Sequence, residues 1–265
     1  MSEIDVRDYW ERRLGADWSL RGVGFSRLGT RFNEWQYRQR AERFDAIVQA
    51  LPVDVTKSRV LDVGSGTGFY IDTWRRLGAK DVVGLDLTDA AVDNLRRSFP
   101  ETTFVRHDIT EGTAGLATET FDIVSCMDVM FHVVEDARFL SALTNISTVL
   151  APGGSFIWSD FFLHGRELRG SHIVWRNLYR IEAMLDQAGF EILLRRPFFY
   201  LMNEPRDSSS RLAMPIWKAA MWLASRSETS GDFAGRRLYR LDRRLTARRT
   251  ESPSTEVMVC RKRHT

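Results

Sequence analysis

The fold of this chain is decided by the stretch Val60–Phe69, which reads VLDVGSGTGF. Its first half is an apolar run typical of a buried strand, and its second half places three glycines at alternating positions before a helical pattern. Glycine lets the backbone turn sharply and approach a ligand closely, and the N-terminus of a helix presents free N–H groups to that ligand. The stretch therefore predicts a strand, a cofactor-binding turn and a helix in succession.

The spacing of the glycines separates this turn from a dinucleotide site. The dinucleotide fingerprint G-x-G-x-x-G would need its third glycine at position 69, where this chain has Phe69. A second acidic residue, Asp86, ends the next predicted strand about twenty residues after the glycines, where such folds place the group that binds a ribose diol. A carboxylate suits this task because it accepts two hydrogen bonds at once.

Three further features follow in order along the chain. Asp108 and Ile109 end a third apolar strand, residues 121–127 form a fourth, and an L-x-P-G-G turn at 150–154 leads into a fifth. Together with the glycine turn and Asp86, these features resemble the class I S-adenosylmethionine-dependent methyltransferases. The resemblance covers residues 60–161.

The resemblance implies S-adenosylmethionine as the cofactor and assigns it a binding site. It implies that Asp86 binds the ribose hydroxyls, and that Asp108 and Ile109 meet the adenine amino group and ring face. It also implies that the end of the fourth strand faces the transferred methyl group. The predicted cofactor-binding residues in this core are Asp62, Gly64, Ser65, Gly66, Gly68, Asp86, Leu87, Asp108, Ile109 and Met127.

The alternation of strands and helices predicts an α/β fold with helices on both faces of a parallel sheet. The resemblance refines this to a three-layer, doubly wound, mostly parallel seven-stranded sheet, the Rossmann-like methyltransferase fold. Trp175, Leu178, Ile181 and Leu185 recur at helical spacing and place a helix over them. The predicted strands are 59–63, 82–86, 102–106, 121–127, 154–161, 190–200 and 256–260, and the predicted core helices are 69–77, 89–98, 135–149 and 174–188.

The chain divides into a core and two additions. Residues 1–50 are predicted to form an N-terminal helical cap, 51–203 the methyltransferase core, and 254–265 the final strand of the core and a tail. Residues 204–253 are a helical basic insertion between the sixth and seventh strands, far longer than an ordinary hairpin needs. We expect the seventh strand to close the sheet.

The insertion concentrates positive charge. It carries eleven arginines and lysines against six aspartates and glutamates, whereas the whole chain has a net charge of only +3. Helices are predicted over 211–225 and 233–249, and one side of the first carries Leu212, Ile216, Ala219, Trp222 and Leu223.

Four roles are open for the insertion: a lid over the acceptor, a contact for a phosphorylated or membrane-bound acceptor, a homodimer interface, and a solvated helix face. If it is a lid, deleting 206–252 leaves a folded core that binds cofactor but methylates its acceptor slowly.

The N-terminal cap supplies two candidate cofactor contacts. In many enzymes of the family the segment before the first strand covers the cofactor, and Tyr37 and Arg38 are the candidates here. A guanidinium group suits the methionine carboxylate of the cofactor because it donates two parallel hydrogen bonds. The alternative is that Tyr37 packs on the core and Arg38 is solvated.

The composition agrees with an ordinary globular enzyme. Of the 265 residues, 43% are hydrophobic and 28% charged, which is enough for a sizeable core. No apolar run suggests a membrane span or a signal peptide, so we expect a cytoplasmic protein. Two cysteines, Cys126 and Cys260, form neither a disulfide framework nor a zinc-binding spacing.

A hydroxyl acceptor needs a base, and histidine is the first choice at cellular pH. His132 follows the fourth strand and His164 the fifth, both at strand ends that point to the ligand crevice of such a sheet. His132, His164 and Asp128 are therefore the predicted catalytic residues, with His172 as a substitute base. For an ordinary histidine, the rate rises with pH near 6.5.

A metal-assisted variant rests on a second, partial resemblance. Some O-methyltransferases carry Glu-x-x-Glu-His after the fourth strand and bind a divalent metal there. This chain keeps a carboxylate at Asp128 and the histidine at His132, but Phe131 replaces the second glutamate. Asp128, His132 and His164 remain candidate ligands for magnesium or manganese, with Asp160 as a further oxygen ligand.

The sequence thus predicts a methyltransferase that acts on a hydroxyl of a sugar, glycan or other small secondary metabolite. One alternative is an RNA methyltransferase that binds its substrate through the basic insertion. The low overall charge and the lack of an Asn/Asp-Pro-Pro-Tyr signature speak against nucleic acid as the partner. The other alternative is a non-catalytic protein that only binds S-adenosylmethionine.

Overall fold

The computed structural model of the chain describes residues 5–113 and 115–264. Its main sheet has seven strands, and two short strands pair separately. The strands are β1 (Arg59–Val63), β2 (Asp81–Asp86), β3 (Thr103–Arg106), β4 (Phe121–Met127), β5 (Leu150–Asp160), β6 (Leu168–Arg169), β7 (Val174–Trp175), β8 (Phe190–Pro197) and β9 (Glu256–Lys262). The helices are α1 (Val6–Ala16), α2 (Leu20–Val23), α3 (Gly29–Val48), α4 (Phe69–Arg76), α5 (Asp89–Ser98), α6 (Asp136–Val149), α7 (Leu178–Gln187), α8 (Ala213–Ala224) and α9 (Glu228–Arg248).

The main sheet has the strand order β3-β2-β1-β4-β5-β9-β8. Strands β1 to β5 pair in parallel, and β9 runs antiparallel to both of its neighbours. The predicted mostly parallel, seven-stranded fold is confirmed. The expectation that the last strand closes the sheet is wrong, because β9 lies inside the sheet and β8 forms the edge.

Both faces of the sheet are buried, which explains the apolar runs in its strands. Successive residues of β1 point to opposite faces, so Val60 packs in one core cluster and Leu61 in the other. Helices α3, α4 and α5 cover the first face, and α6 and α7 cover the second. The chain moves outward from β1 in one direction to β3 and from β4 in the other to β5, which opens a crevice at their carboxyl ends.

The segment between β5 and α7 differs from the prediction. The predicted helix over 174–188 begins only at Leu178, where the side chain of Asn177 caps it by accepting from the Tyr179 N–H. Trp175 lies in β7, which pairs with β6. Trp175 precedes the helix and only happens to continue the spacing of Leu178, Ile181 and Leu185. The capping residue Asn177 decides where the helix begins.

The insertion packs against the N-terminal cap. Helix α9 lies along α3, and the indole Nε1 of Trp35 donates to Asp232 Oδ1 at 2.8 Å. The two oxygens of Glu228 accept from the backbone N–H groups of Thr30 and Arg31 at 3.0 and 2.9 Å, so one helix of the pair caps the other. The cap and the insertion therefore form one continuous helical layer.

This packing contradicts the expectation that the core folds normally without residues 206–252. The face of α9 against α3 is buried at Tyr239, Asp242 and Thr246. Gln39 of α3 donates to Thr246 Oγ1 at 3.1 Å. Deleting the insertion would uncover Trp35, Gln39 and their neighbours, so loss of activity in such a variant would report on folding.

None of the helices in the described ranges is both long enough and apolar enough to cross a membrane.

Gly235 provides a test of the contact between α9 and α3. A Cβ at position 235 would lie 2.6 Å from Cδ1 of Trp35, whereas a Cβ at Gly165 would meet nothing within 4 Å. We expect Gly235→Ala to lower the free energy of unfolding by about 1–3 kcal/mol, because overpacking outweighs the better helix propensity of alanine. Gly165→Ala should stay close to the wild type in urea denaturation. A Gly235→Ala protein more stable than the wild type would show that the two helices are not packed this closely.

Candidate active site

A cavity of about 830 Å³ opens at the carboxyl ends of β1, β2 and β4. Its wall combines the glycine turn after β1, the ends of β2 and β4, the loop after β3, and residues from α1 and α3. The predicted cofactor residues on the wall are Tyr37, Gly64, Ser65, Gly66, Asp86, Leu87, Asp108, Ile109 and Met127. Three others, Asp62, Gly68 and Arg38, are not on the wall.

The three glycines of the turn have positive φ angles of 75°, 51° and 85° at Gly64, Gly66 and Gly68. A side chain at Gly64 would collide with Val129, and one at Gly68 would collide with Phe99. Gly66 instead faces the cavity, and its N–H donates to Asp86 Oδ2 at 2.9 Å. Only Gly64 and Gly66 therefore reach the cavity, and Gly68 is needed for packing beneath the helix start.

Asp86 is anchored where the sequence predicts a ribose-binding carboxylate. Its Oδ1 accepts from the backbone N–H and the hydroxyl of Thr88 at 3.0 and 2.8 Å, and its Oδ2 accepts from Gly66. Burial raises the pKa of Asp86 above its ordinary value. Each oxygen of a carboxylate offers two lone-pair sites, so Oδ2 keeps one for a ligand hydroxyl.

Asp108 and Ile109 lie beside Arg138 of α6. Asp108 Oδ1 accepts from the Thr110 N–H at 2.8 Å, and its Oδ2 accepts from Arg138 Nη2 at 2.7 Å. The carboxylate is thus held in place on the cavity wall by the start of a short turn and by a guanidinium group.

Asp62 lies beneath the turn instead of on the wall. Its Oδ1 accepts from the hydroxyl of Ser125 at 2.6 Å, which in turn accepts from Trp74 Nε1 at 2.9 Å. Burial raises the pKa of Asp62 to about 7. Asp62, predicted to bind the cofactor, therefore does not reach the cavity wall, since its side chain joins β1, β4 and α4 inside the core.

The structure also contradicts the prediction for Arg38. Its guanidinium group lies on the far side of α3, 3.6 Å from Glu42 and over the rings of Trp35 and Tyr239. The arginine that α3 contributes to the cavity wall is Arg40, two residues later and on the same side of the helix as Tyr37. The helical period decides this, because residues two apart on a helix face different directions.

Arg40 forms an ion pair with Asp128 at the end of β4. The carboxylate of Asp128 also accepts from the Ser159 hydroxyl at 2.8 Å, and its backbone has a φ of 58°, a conformation that few residues other than glycine adopt. Asp128 is thus neutralised and fixed in place. It orients Arg40, and its charge is already balanced without a metal.

His132 lies on the cavity wall beside Trp10 of α1. Its Nδ1 is 3.1 Å from the carbonyl oxygen of His172, so Nδ1 carries the proton and Nε2 keeps a free lone pair. Burial lowers the pKa of His132 to about 4. The imidazole is therefore neutral at cellular pH, and the expected rise in rate near pH 6.5 does not apply to it.

His164 lies outside this cavity. Its Nδ1 is 2.6 Å from Asp207 Oδ2, and both residues belong to the wall of a second cavity of about 620 Å³ formed with the insertion. Asp128, His132 and His164 are thus not brought together. Among residues 5–113 and 115–264 no three histidine, cysteine or carboxylate side chains form a group that could hold a metal ion.

Helix α1 covers the cavity and is tied to α5. The two oxygens of Glu11 accept from the backbone N–H groups of Asp89 and Ala90, both at 2.9 Å, so the α1 side chain caps the N-terminus of α5. Arg7 also pairs with Asp89 at 3.1 Å. A cap supplied by a distant helix leaves no local pattern in the sequence, so this contact could not be predicted from it.

The cavity fits S-adenosylmethionine. The glycine turn leaves room for close approach of a ligand, and Asp86 keeps an acceptor site in the buried end of the cavity. Two buried polar atoms of wall residues, Arg40 Nε and Tyr70 Oη, make no well-aligned hydrogen bond within the described ranges, although the two side chains are neighbours. Buried polar groups are normally paired, so these atoms suit a polar ligand such as the amino-acid end of the cofactor.

Comparison with known proteins agrees with this geometry. Residues 60–154 match a family model described as a methyltransferase domain. A probable S-adenosylmethionine-dependent methyltransferase of Mycolicibacterium smegmatis is 30% identical over 57% of this chain and 58% of its own length. A ubiquinone biosynthesis O-methyltransferase of Neisseria meningitidis is 29% identical over 40% of this chain and 45% of its own. The chain thus spans about half the length of these curated relatives.

The fold is similar to that of the N-methyltransferase NodS from Bradyrhizobium japonicum, whose structure was solved with S-adenosyl-L-homocysteine. The TM-score is 0.57 at 12% identity, with 98% of this chain and 100% of that chain covered. Residues 60–154, which carry the glycine turn and Asp86, belong to the methyltransferase-domain family. The match over residues 60–154 agrees with the predicted methyltransferase family, and the similarity to NodS agrees with the predicted fold.

The pair formed by Arg40 and Asp128 can be tested without a ligand. Both side chains are mostly buried, so Arg40→Met should lower the free energy of unfolding by about 3 kcal/mol because it leaves a carboxylate unpaired. The double variant Arg40→Met/Asp128→Asn should be more stable than Arg40→Met alone. Arg38→Met is the matched control and should change stability by about 0.5 kcal/mol or less. Equal losses for Arg38→Met and Arg40→Met in urea denaturation would contradict this placement.

Proposed function

We propose that this chain is an S-adenosylmethionine-dependent methyltransferase that acts on a hydroxyl group of a small acceptor, with His132 as the general base. One observation carries the proposal. A neutral imidazole with a free Nε2 lies on the wall of the same cavity that the glycine turn and Asp86 line. The oxygen-directed part is supported further by the relatives named as O-methyltransferases.

The residues that would hold the cofactor lie along the cavity wall. The backbone of Gly64 to Gly66 would lie against it, Asp86 would accept from its ribose hydroxyls, and Asp108 and Ile109 would meet its base. Arg40 replaces Arg38 as the group that would meet its carboxylate, since Arg40 alone of the two reaches the wall. When bound, S-adenosylmethionine supplies an activated methyl group on a sulfonium.

The chain's own task is then to position the acceptor and to remove one proton. The His172 carbonyl fixes the tautomer of His132, so that Nε2 accepts the proton from the acceptor hydroxyl. Trp10 packs edge-on against the imidazole with ring centroids 5.2 Å apart, which limits its rotation. Helix α1 contributes Val6, Trp10 and Leu14 to the cavity wall, and shielding of this kind favours transfer to the acceptor over side reactions.

The acceptor is most consistent with a small ring-shaped molecule. Trp10, Tyr37, Phe69 and Tyr70 supply aromatic walls that suit sugar rings and flat aromatic rings alike. A sugar, glycan or other secondary-metabolite hydroxyl therefore remains the proposed class. A nucleic-acid acceptor is less consistent, because the cavity wall is built from residues between 5 and 138 and receives none from the basic insertion.

Cofactor binding tests the site before any acceptor is known. We expect calorimetry to detect binding of S-adenosylmethionine and S-adenosylhomocysteine but not of NAD. Asp86→Ala should weaken binding by about 1–3 kcal/mol, roughly fivefold to a hundredfold in Kd, because it removes the diol acceptor. Asp81→Ala, at the exposed start of the same strand, should bind as the wild type does. Unchanged affinity in a folded Asp86→Ala protein would contradict the assignment of β2.

The role of His132 has a distinct pH signature. Because burial lowers its pKa to about 4, the base is already neutral at pH 5.5, and turnover should not rise between pH 5.5 and 8 on its account. His132→Ala should lower kcat roughly a hundredfold or more and leave cofactor affinity unchanged. A panel of phenolic and sugar hydroxyls, assayed with labelled methyl donor, identifies the acceptor class. A clear rise in kcat centred near pH 6.5 that disappears in His132→Ala would refute the buried, neutral base.

Removing metal ions with a chelator distinguishes two roles for His132, proton transfer and metal binding. The three candidate ligands are not clustered, so we expect turnover to be unaffected by EDTA and by added magnesium or manganese. Activity that EDTA abolishes and magnesium restores would contradict proton transfer by His132 and return Asp128 and His132 to metal binding.

A further inference from the structure

Helix α8 presents an apolar stripe to solvent. Leu212, Ile216, Trp222 and Leu223 expose 58–66% of their surface, and exposed Pro215 and Ala219 complete the stripe at helical spacing. A surface helix of a globular protein normally turns its polar side outward, and contiguous apolar surface of this kind marks an interaction site.

The opposite side of α8 is apolar as well. Only one of the two apolar sides can pack against the rest of the chain, so the other faces solvent. Trp217, Met221 and Leu238 line the small cavity between α8 and the rest of the insertion, and Met221 and Ala224 are buried. The chain packs this inner side against α9 and the segment after β8. The outer stripe is left exposed, and Ile216 lies where the stripe borders this cavity.

The neighbouring helix α9 also exposes large apolar side chains. Phe233 and Leu241 of α9 expose 62% and 49% of their surface. Arg237, Arg244 and Arg248 alternate with them at helical spacing, so apolar and basic groups share one face of α9. The guanidinium groups of Arg226 and Arg237 lie over the rings of Trp222 and Phe233.

The acidic residues of the insertion are all engaged within the chain. Asp207 binds His164, Glu228 caps α3, and Glu251 pairs with Arg195. The remaining three are engaged in the same way: Glu204 with Arg206, Asp232 with Trp35 and Arg236, and Asp242 with the backbone of Tyr200 and Leu201.

Most of the basic residues, in contrast, have no acidic partner within the described ranges. They are Arg211, Lys218, Arg226, Arg237, Arg240, Arg243, Arg244, Arg248 and Arg249. The exposed surface of the insertion is therefore strongly positive around its apolar stripe.

We propose that the outer faces of α8 and α9 bind the surface of an anionic lipid bilayer. An apolar helix face with tryptophan, rimmed by arginine and lysine, is the pattern of helices that lie in the membrane interface. The apolar residues enter the boundary of the acyl chains, and the free cations meet the lipid phosphates.

A second copy of the chain is a poorer occupant. A two-fold contact through α8 places the same patch on both sides, so Lys218 and Arg211 would face basic residues of the other copy. No acidic side chain of the insertion is free to balance them. The charges therefore favour an anionic surface over self-association.

The proposed docking surface shares no residue with the wall of the reaction cavity. The cavity wall comes from residues 5–138, whereas the docking surface comes from residues 211–248. Docking of this kind requires no particular methyl acceptor. If the acceptor is apolar, the bilayer is also where it accumulates.

Vesicle flotation of the full chain tests the proposal. The probes are vesicles of phosphatidylcholine alone and of phosphatidylcholine with phosphatidylglycerol. We expect binding only to the anionic vesicles, weakened by salt. Lys218→Glu/Arg237→Glu should reduce binding on the order of tenfold or more, since one basic residue near such a surface contributes about fivefold. Ile216→Asn/Trp222→Gln should reduce it by a similar factor, and both variants should keep the wild-type Tm because the sites are exposed.

Matched controls lie outside the insertion. Arg97→Glu changes an exposed charge on α5, and Tyr179→Gln removes a ring on α7 that is 80% exposed; neither should alter flotation. No binding of the wild type to anionic vesicles, or equal losses in the controls, would overturn the proposal. So would a dimer in light scattering that Ile216→Asn converts to monomer, because that result assigns the stripe to a second copy.

Discussion

The hydrogen bond between the Gly66 N–H and the Asp86 carboxylate is the contact on which the rest of the site depends. It joins the end of β1 to the end of β2, and it requires a backbone that turns through positive φ angles at three alternating positions. Only glycine adopts these angles at low cost, and side chains at Gly64 and Gly68 would collide with the neighbouring segments. The same turn therefore packs against neighbouring segments at Gly64 and Gly68, and it faces the cavity at Gly66.

The fold and the cofactor side of the site follow from local patterns in the sequence. Strands buried on both faces read as apolar runs, and the positions of Asp86, Asp108 and Met127 at strand ends place them on one edge of a parallel sheet. Errors arise where a distant contact decides. Asp62 turns inward because Ser125 and Trp74 meet it in the core. The error at Arg38 is of another kind, because the helical period places Arg40 on the same side of α3 as Tyr37, where Asp128 pairs with it.

The predicted catalytic residues also divide into those placed by local sequence patterns and those placed by distant contacts. His132 lies on the wall as the strand end implies, but its pKa depends on burial by α1 and on the His172 carbonyl, neither of which is visible in the sequence. His164 follows β5, yet Asp207 of the insertion holds it elsewhere. Side chains of an insertion can bind core residues, and the sequence pattern of the core does not predict such contacts. The apolar stripe of α8 is another example, since both sides of that helix are apolar and only packing selects the outer one.

Helix α3 connects the two surfaces that this chain presents. One side of its 20 residues turns Tyr37 and Arg40 toward the cavity, and the other turns Trp35 and Gln39 toward α9. Because a packed helix moves as a unit, the docking surface and the cavity keep a fixed relation through α3, and no flexible linker separates them. The insertion accordingly acts on the site without lining it. Helix α9 holds one side of α3, and the other side of that helix carries Tyr37 and Arg40 on the cavity wall.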